Sequence, residues 1–189
     1  MNYKEELQKA TDLLAENRYI FLGQNMVAGG TSLYHMVKHL PIEQRIELPV
    51  FEDIQMGMAI GMHLENLKIC CAYPRWDFMI LATNQIINHA DKVKRMSNGQ
   101  FKLKGLIIRT CVGSVKPMFP GEQHSGDYTK AFKLMCKDIV VVDLIKPEQI
   151  VEEYKKAMER DVPTILVEHP DLYNVNLIYD IEKSKDVVK

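Results

Sequence analysis

Apolar residues along this chain alternate between two spacings. From residue 3 to 17, Leu7, Ala10, Leu13 and Leu14 recur every three or four positions, which predicts an amphipathic helix. Tyr19-Ile20-Phe21-Leu22 is then an unbroken apolar run closed by Gly23, the pattern of a strand buried on both faces. The alternation continues. Thr31 or Ser32 is placed to cap a helix carrying Leu33, Met36, Val37 and Leu40, which Pro41 ends. A second strand is predicted over residues 45–50, a helix over 53–64, a third strand over 67–73 stopped by Pro74, a long helix over 76–93, and a fourth strand over 106–108. Beyond a loop from 112 to 126 come a helix over 128–136, a fifth strand over 139–144, a helix opened by Pro147 and running to 158, and a sixth strand over 163–168. The tail after His169, with Leu172, Tyr173, Val175 and Leu177, is expected to add an edge element or to dock on a partner.

Short apolar strands separated by helices make a parallel sheet covered on both faces. The predicted fold is therefore α/β, a three-layer α/β/α domain with a mostly parallel six-stranded sheet, one domain over residues 1–189. Composition refines this only by exclusion. A formal net charge of -1 leaves no electrostatic footprint for nucleic acid or anionic membrane. No apolar run approaches a membrane span, and the N-terminus is a helix pattern and not a secretion signal, so a cytoplasmic location is expected. The four cysteines, Cys70, Cys71, Cys111 and Cys136, show no CxxC or Cys/His spacing and read as buried free thiols.

Several α/β chemistries are excluded by missing motifs. There is no GxxxxGK[ST] loop, no GxGxxG after the first strand, no GxSxG elbow and no HExxH. His35 and His39 stand one helical turn apart on what reads as a solvated face, and no metal site is expected in this chain. Three ligand-competent segments remain, each after a strand: Glu52 after the second, Tyr73, Trp76 and Phe78 after the third, and Gln123-His124-Ser125 in the loop after the fourth. In a parallel sheet these carboxyl ends share one edge, where ligands bind. A loop as long as 112–126 inside a compact domain is usually functional.

Those segments carry a resemblance. Phe51-Glu52-Asp53-Ile54-Gln55-Met56-Gly57-Met58-Ala59-Ile60-Gly61-Met62 resembles the cofactor-activating segment of the beta subunits of 2-oxo acid dehydrogenases. So do Asp77-Phe78 with Asn84-Gln85-Ile86-Ile87-Asn88-His89-Ala90, Met96-Ser97-Asn98-Gly99-Gln100-Phe101, Ile108-Arg109-Thr110, and Gly121-Glu122-Gln123-His124-Ser125. The blocks run in the family's order over roughly residues 18–168. The family unit is the pyrimidine-binding domain of thiamine diphosphate enzymes, the middle domain of transketolases. The resemblance implies that Glu52 hydrogen-bonds the aminopyrimidine ring nitrogen opposite its amino group and so activates the cofactor, which then carries the carbanion chemistry. Such a carboxyl works best shielded from water, and Val50, Phe51 and Ile54 are expected to shield it. The resemblance further implies that Phe78 packs on the pyrimidine ring, that Pro74 and Gln123 line the cofactor site, and that His124 faces the substrate as a proton carrier or contact. Gly57 and Gly61 would let their helix approach a partner helix closely.

The chain departs from the family in having Asn84 where Asp is frequent, Ala72 where an acidic residue is frequent, and Tyr73-Pro74-Arg75-Trp76 in place of the dehydrogenase sequence. Arg75 is a candidate contact for an anionic substrate group. The sequence contains no GDG motif, by which the second half of the fold holds magnesium and diphosphate, and the chain is expected to be the pyrimidine-binding domain without the family's C-terminal domain. The expectation is a two-chain enzyme acting on a 2-oxo acid or ketose by decarboxylation, acyloin ligation or ketol or acyl transfer, similar to two-chain decarboxylases or acyloin-forming ligases. A GDG-containing partner chain would hold magnesium and most of the thiamine diphosphate, in a heterotetramer or larger assembly. The competing expectations are a non-catalytic assembly subunit and an unrelated flavodoxin-like small-ligand module.

Overall fold

A computed structural model of the chain describes residues 1–114 and 119–173. Six strands form one sheet: β1 (Ile20–Gly23), β2 (Arg45–Glu47), β3 (Ile69–Ala72), β4 (Ile107–Cys111), β5 (Val140–Asp143) and β6 (Thr164–Glu168). Their order is β2-β1-β3-β4-β6-β5 and every pairing is parallel. The chain thus leaves β1 for one edge, returns past it to β3, and creates a switch point between the carboxyl ends of β1 and β3.

Side chains along the central strands alternate between two cores. Phe21, Cys70, Ile107 and Leu166 face α1 (Tyr3–Glu16), α2 (Ser32–Val37) and α7 (Pro147–Glu159). Their neighbours Leu22, Cys71, Ile108 and Ile165 face α3 (Glu52–Leu64), α4 (Trp76–Met79) and α6 (Thr129–Met135). Burial on both faces is why these strands read as continuous apolar runs and not as alternations. The three-layer prediction holds, and Thr31 does cap α2, its hydroxyl accepting from the Tyr34 N–H at 3.4 Å. All four cysteines are free, with Cys70, Cys71 and Cys111 buried. Burial pushes the Cys71 thiol up to about 11.

Four elements differ from their prediction. β2 stops at Glu47, because its chain then turns out towards α3: Val50 and Phe51 are exposed. The helix expected over 76–93 is not continuous. It breaks into α4, a 3-10 turn (Ile80–Ala82), a π-helical stretch (Gln85–Ala90) and α5 (Val93–Met96). Its parts are tied to different elements: Gln85 donates to Asp53 of α3 at 3.3 Å, and the buried Asp91 carboxylate accepts the N–H groups of Lys137, Asp138 and Ile139 at 2.8–2.9 Å. β4 runs on to Cys111, which carries Arg109 into the sheet interior. The tail packs inward at its start, with Tyr173 buried and stacked on Tyr3 at 5.9 Å between ring centroids. Its expected role as an edge or docking element, resting on Val175 and Leu177, lies outside the described residues. Among the described residues no helix is long and apolar enough to cross a membrane.

Candidate active site

Two glycines shape the carboxyl edge. Gly23 ends β1 where a Cβ would stand 2.2 Å from the Ala72 carbonyl oxygen, so only glycine lets β1 and β3 close at the switch point. Gly113, just past β4, lies against Ser125, and its N–H donates to the Gly126 carbonyl at 3.1 Å. That contact folds the far end of the long loop back onto the edge.

Glu52 begins α3 beside the switch point and is 4% exposed. Its carboxylate Oε1 accepts from the Gln24 amide at 3.0 Å, and its backbone carbonyl accepts from the Tyr73 hydroxyl at 3.0 Å. Gln55, one turn on, donates to the Ala72 carbonyl at 3.0 Å. The shielding therefore comes from other residues than expected. Val50, Phe51 and Ile54 are 71%, 59% and 52% exposed, whereas Gln24, Gln55 and Tyr73 are buried. The reason is helical geometry: successive residues of a helix are rotated by about 100°, so Ile54 points more than a quarter turn away from Gln55 and nearly opposite Met56, both of which enter the core, and Phe51 precedes the first turn. Phe51 and Ile54 instead line a small apolar groove of about 140 Å³ with Leu48, Pro49, Gln55 and Met58. Gly61 lies on the same helix with nothing within 4 Å of its Cβ position, whereas at Gly57 a Cβ would meet Gln85 at 3.9 Å.

The remaining predicted residues form a chain of contacts along the edge. Pro74 is buried, and its carbonyl accepts from the Cys111 thiol at 2.7 Å. Burial, with the Glu168 charge next, pushes that thiol up to about 12, which keeps it protonated. Arg75 donates to the His124 carbonyl at 2.8 Å. His124 sits edge-on to Phe78, with ring centroids 5.4 Å apart, and both rings are partly exposed. Gln123 is exposed in the same 3-10 turn (Glu122–His124). Asp77 tethers the turn by accepting the Gly126 N–H at 3.2 Å. Glu52, Pro74, Phe78 and His124 are thus gathered at one edge, while Gln123 faces outwards.

Beside this edge, on the face of α1 and α2, lies a cavity of about 330 Å³. Lys4, His35 and Arg75 bring positive or protonatable groups to it, Thr31 and Ser32 bring hydroxyls, and among the described residues no carboxylate lines it. Below it Arg109 and Glu168, both fully buried, form a bidentate ion pair. Sequence reading identified neither the cavity nor the pair, nor Gln24 and Tyr73 as the partners of Glu52. Arg109 inside an apolar run was a usable signal, because a buried charge needs a partner. Gln24, directly after the glycine that ends β1, was another. Among the described residues no group of three or more His, Cys, Asp or Glu is arranged to hold a metal ion. His39 is paired with Asp12 at 2.7 Å instead.

A parallel sheet of this order, covered on both faces and with a buried carboxylate at its switch point, defines the class of open α/β domains, in which ligands are commonly held at that edge, and comparison with known proteins narrows it. The chain is 28% identical over 177 residues to the pyruvate dehydrogenase E1 component subunit beta of Gracilaria tenuistipitata var. liui, a match covering 90% of this chain and 53% of that protein. It is 30% identical over 131 residues to the same subunit of Chaetosphaeridium globosum, covering 69% of this chain and 39% of that protein. It therefore spans about half or less of the length of these relatives. Two solved structures share the fold. A split-gene transketolase, described as an inactive beta4 tetramer, superposes with a TM-score of 0.67 at 17% identity over 89% of this chain and 51% of its own. A transketolase of Campylobacter jejuni subsp. jejuni gives 0.63 at 10% identity over 88% and 25%. No family model matches the chain. Sequence and fold agree that this is a transketolase-like domain, related to the pyrimidine-binding domains of thiamine diphosphate enzymes.

Proposed function

We propose that the chain is the pyrimidine-binding subunit of a two-chain thiamine diphosphate enzyme acting on a 2-oxo acid or ketose. The observation that carries this reading is Glu52: a carboxylate buried at the β1/β3 switch point whose side chain holds one amide partner. Burying a carboxylate costs several kcal/mol unless its oxygens are well paired. One that keeps bonding capacity at a ligand-binding edge fits a site awaiting a ring-nitrogen partner. Phe78, partly exposed on the neighbouring helix, fits a ring-stacking role.

When bound, thiamine diphosphate supplies the carbanion chemistry for bond cleavage next to a keto group. The residues of this chain do the rest. Glu52 holds a proton at the aminopyrimidine nitrogen. Phe78 supports the pyrimidine face, and the buried Pro74 helps shape the wall. His124, its ring set by Phe78 and its carbonyl held by Arg75, carries a proton at the substrate side. The cavity with Lys4, His35 and Arg75 takes the anionic end of the substrate. The diphosphate and magnesium are assigned to a partner chain, since this sequence carries no GDG motif. The exposed apolar set around Phe51, Ile54 and Met58, next to Gly61, supports assembly through α3. A cytoplasmic location fits the buried, unpaired thiols.

The test is Glu52→Gln, assayed with the partner chain present. A loss of at least about a hundredfold in turnover is expected, as for the removal of a proton-transfer group. Unchanged turnover would reject the catalytic reading and leave an architectural role. Calorimetry of the isolated chain with magnesium and thiamine diphosphate is expected to show weak binding; tight binding would refute the need for a partner.

A further inference from the structure

Glu52 can present only one of its two oxygens productively to a ring nitrogen, and something must decide which oxygen bears the proton. Gln24 is 8% exposed, follows Gly23 at the end of β1, and directs its amide N–H at Glu52 Oε1 at 3.0 Å. Its backbone is fixed on both sides. Gly23 is locked against Ala72, and the loop from Asn25 to Ala28 is pinned by Glu47, whose carboxylate accepts three backbone N–H groups at 2.6–3.1 Å. Resting on the assignment of Glu52 to the pyrimidine, we propose that Gln24 is a positioning residue that keeps Oε1 an acceptor and so confines the transferable proton to Oε2.

The chemistry follows from donor and acceptor roles. A carboxylic acid has one oxygen that carries hydrogen and one that accepts. With an amide N–H donating to Oε1, a proton on that same oxygen would face the donor head-on. It goes to Oε2, from which it passes to the ring nitrogen while the Glu52 negative charge stays stabilised by the Gln24 N–H. The amide has no proton to lose near neutral pH, so Gln24 orders the transfer without entering it. A carboxylate at position 24 would compete for the proton, because two carboxyls in contact share one.

The experiment uses the chain purified with its partner and loaded with magnesium and thiamine diphosphate. It compares wild type with Glu52→Gln, Gln24→Met and Gln24→Glu. The readouts are cofactor affinity and the rate of hydrogen–deuterium exchange at the cofactor C2, followed by proton NMR after acid quench. Gln24→Met keeps the volume and removes the donor. It is expected to slow exchange tenfold to a hundredfold, the range for a hydrogen bond to a charged group, with affinity changed less than about threefold. Gln24→Glu is expected to be slow at pH 8 and to recover towards pH 5, where its own carboxyl regains a proton to donate; Gln24→Met is expected not to recover. Exchange unchanged in Gln24→Met while Glu52→Gln is slow would overturn the role of Gln24 alone. Unchanged exchange in Glu52→Gln would overturn the catalytic reading beneath it. On the isolated chain, nitrogen-15 NMR provides a check that needs no partner. The Gln24 side-chain amide signal is expected to shift on Glu52→Gln, and an unmoved signal would remove the contact on which the proposal stands.

Discussion

Glu52 and Glu168 are both glutamates buried at the carboxyl edge of the sheet, at 4% and 1% exposure, yet their surroundings are opposite. Glu168 is saturated. Both its oxygens take the Arg109 guanidinium, the Tyr154 hydroxyl donates to Oε1 at 3.3 Å, and the Tyr173 hydroxyl donates to Oε2 at 2.6 Å. Arg109 in turn reaches the Thr11 hydroxyl at 3.1 Å, which links β4, β6, α1, α7 and the start of the tail through one charge pair. Burial alone would lower the guanidinium pKa, but the Glu168 charge outweighs it and holds Arg109 well above its ordinary value. Glu52 has the Gln24 amide on one oxygen and no counter-ion in any hydrogen bond or ion pair described. A saturated buried acid is a structural joint, whereas an acid with bonding capacity left is available for chemistry.

That contrast is breakable, and the largest effect tests the joint. Glu168→Ala strands a buried guanidinium and is expected to cost about 3–5 kcal/mol in chemical denaturation, with the double variant Arg109→Met/Glu168→Leu recovering much of it. If Glu168→Ala unfolded no more easily than wild type, the joint reading would fail. Ile54→Asp, on the exposed face of α3, is expected to abolish association with the proposed partner chain in sedimentation while leaving the isolated chain's melting temperature within a few degrees. Tyr173→Phe removes one bond to Glu168, and about 1–2 kcal/mol of stability should be lost, with no change in cofactor affinity. Glu52→Gln is expected to alter stability by less than about 1 kcal/mol while turnover is expected to fall; a cost as large as that of Glu168→Ala would erase the distinction between the two sites.

The smallest effect concerns Glu47. Burial opposes its charge, but the backbone N–H groups of residues 25–28 outweigh this and hold its pKa below the usual 4.5. A carboxylate depressed in the folded state contributes stability that is present above its unfolded value and fades as pH falls through the folded one. The melting-temperature gap between wild type and Glu47→Gln, measured from pH 7 downwards, is therefore expected to be open at neutral pH and to close below about 4.5. A gap that widened on acidification would contradict the loop-pinning role.

Much of this was legible in one dimension. Unbroken runs such as Phe21-Leu22 and Ile107-Ile108 announced strands buried on two faces, because only a doubly covered sheet removes the need for polar alternation. Glu52, Phe78 and His124 each followed a strand, and parallel strands bring their carboxyl ends to one edge whatever their order. The residues around Glu52 were misjudged for an equally physical reason. Sequence neighbours at the start of a helix fan out around its axis, so Phe51 and Ile54 point away from the carboxylate they adjoin.

What the sequence by itself determined was the alternation of elements, the class of sheet and the edge where chemistry belongs, since these follow from local spacing and apolar periodicity. The strand order, the switch point between β1 and β3, the Gln24 amide on Glu52, the Arg109–Glu168 pair 59 residues apart and the basic cavity under Arg75 were decided only by the tertiary structure. They depend on which distant groups meet in a dry interior, where an unpaired charge is too costly to keep unless a ligand is to complete it.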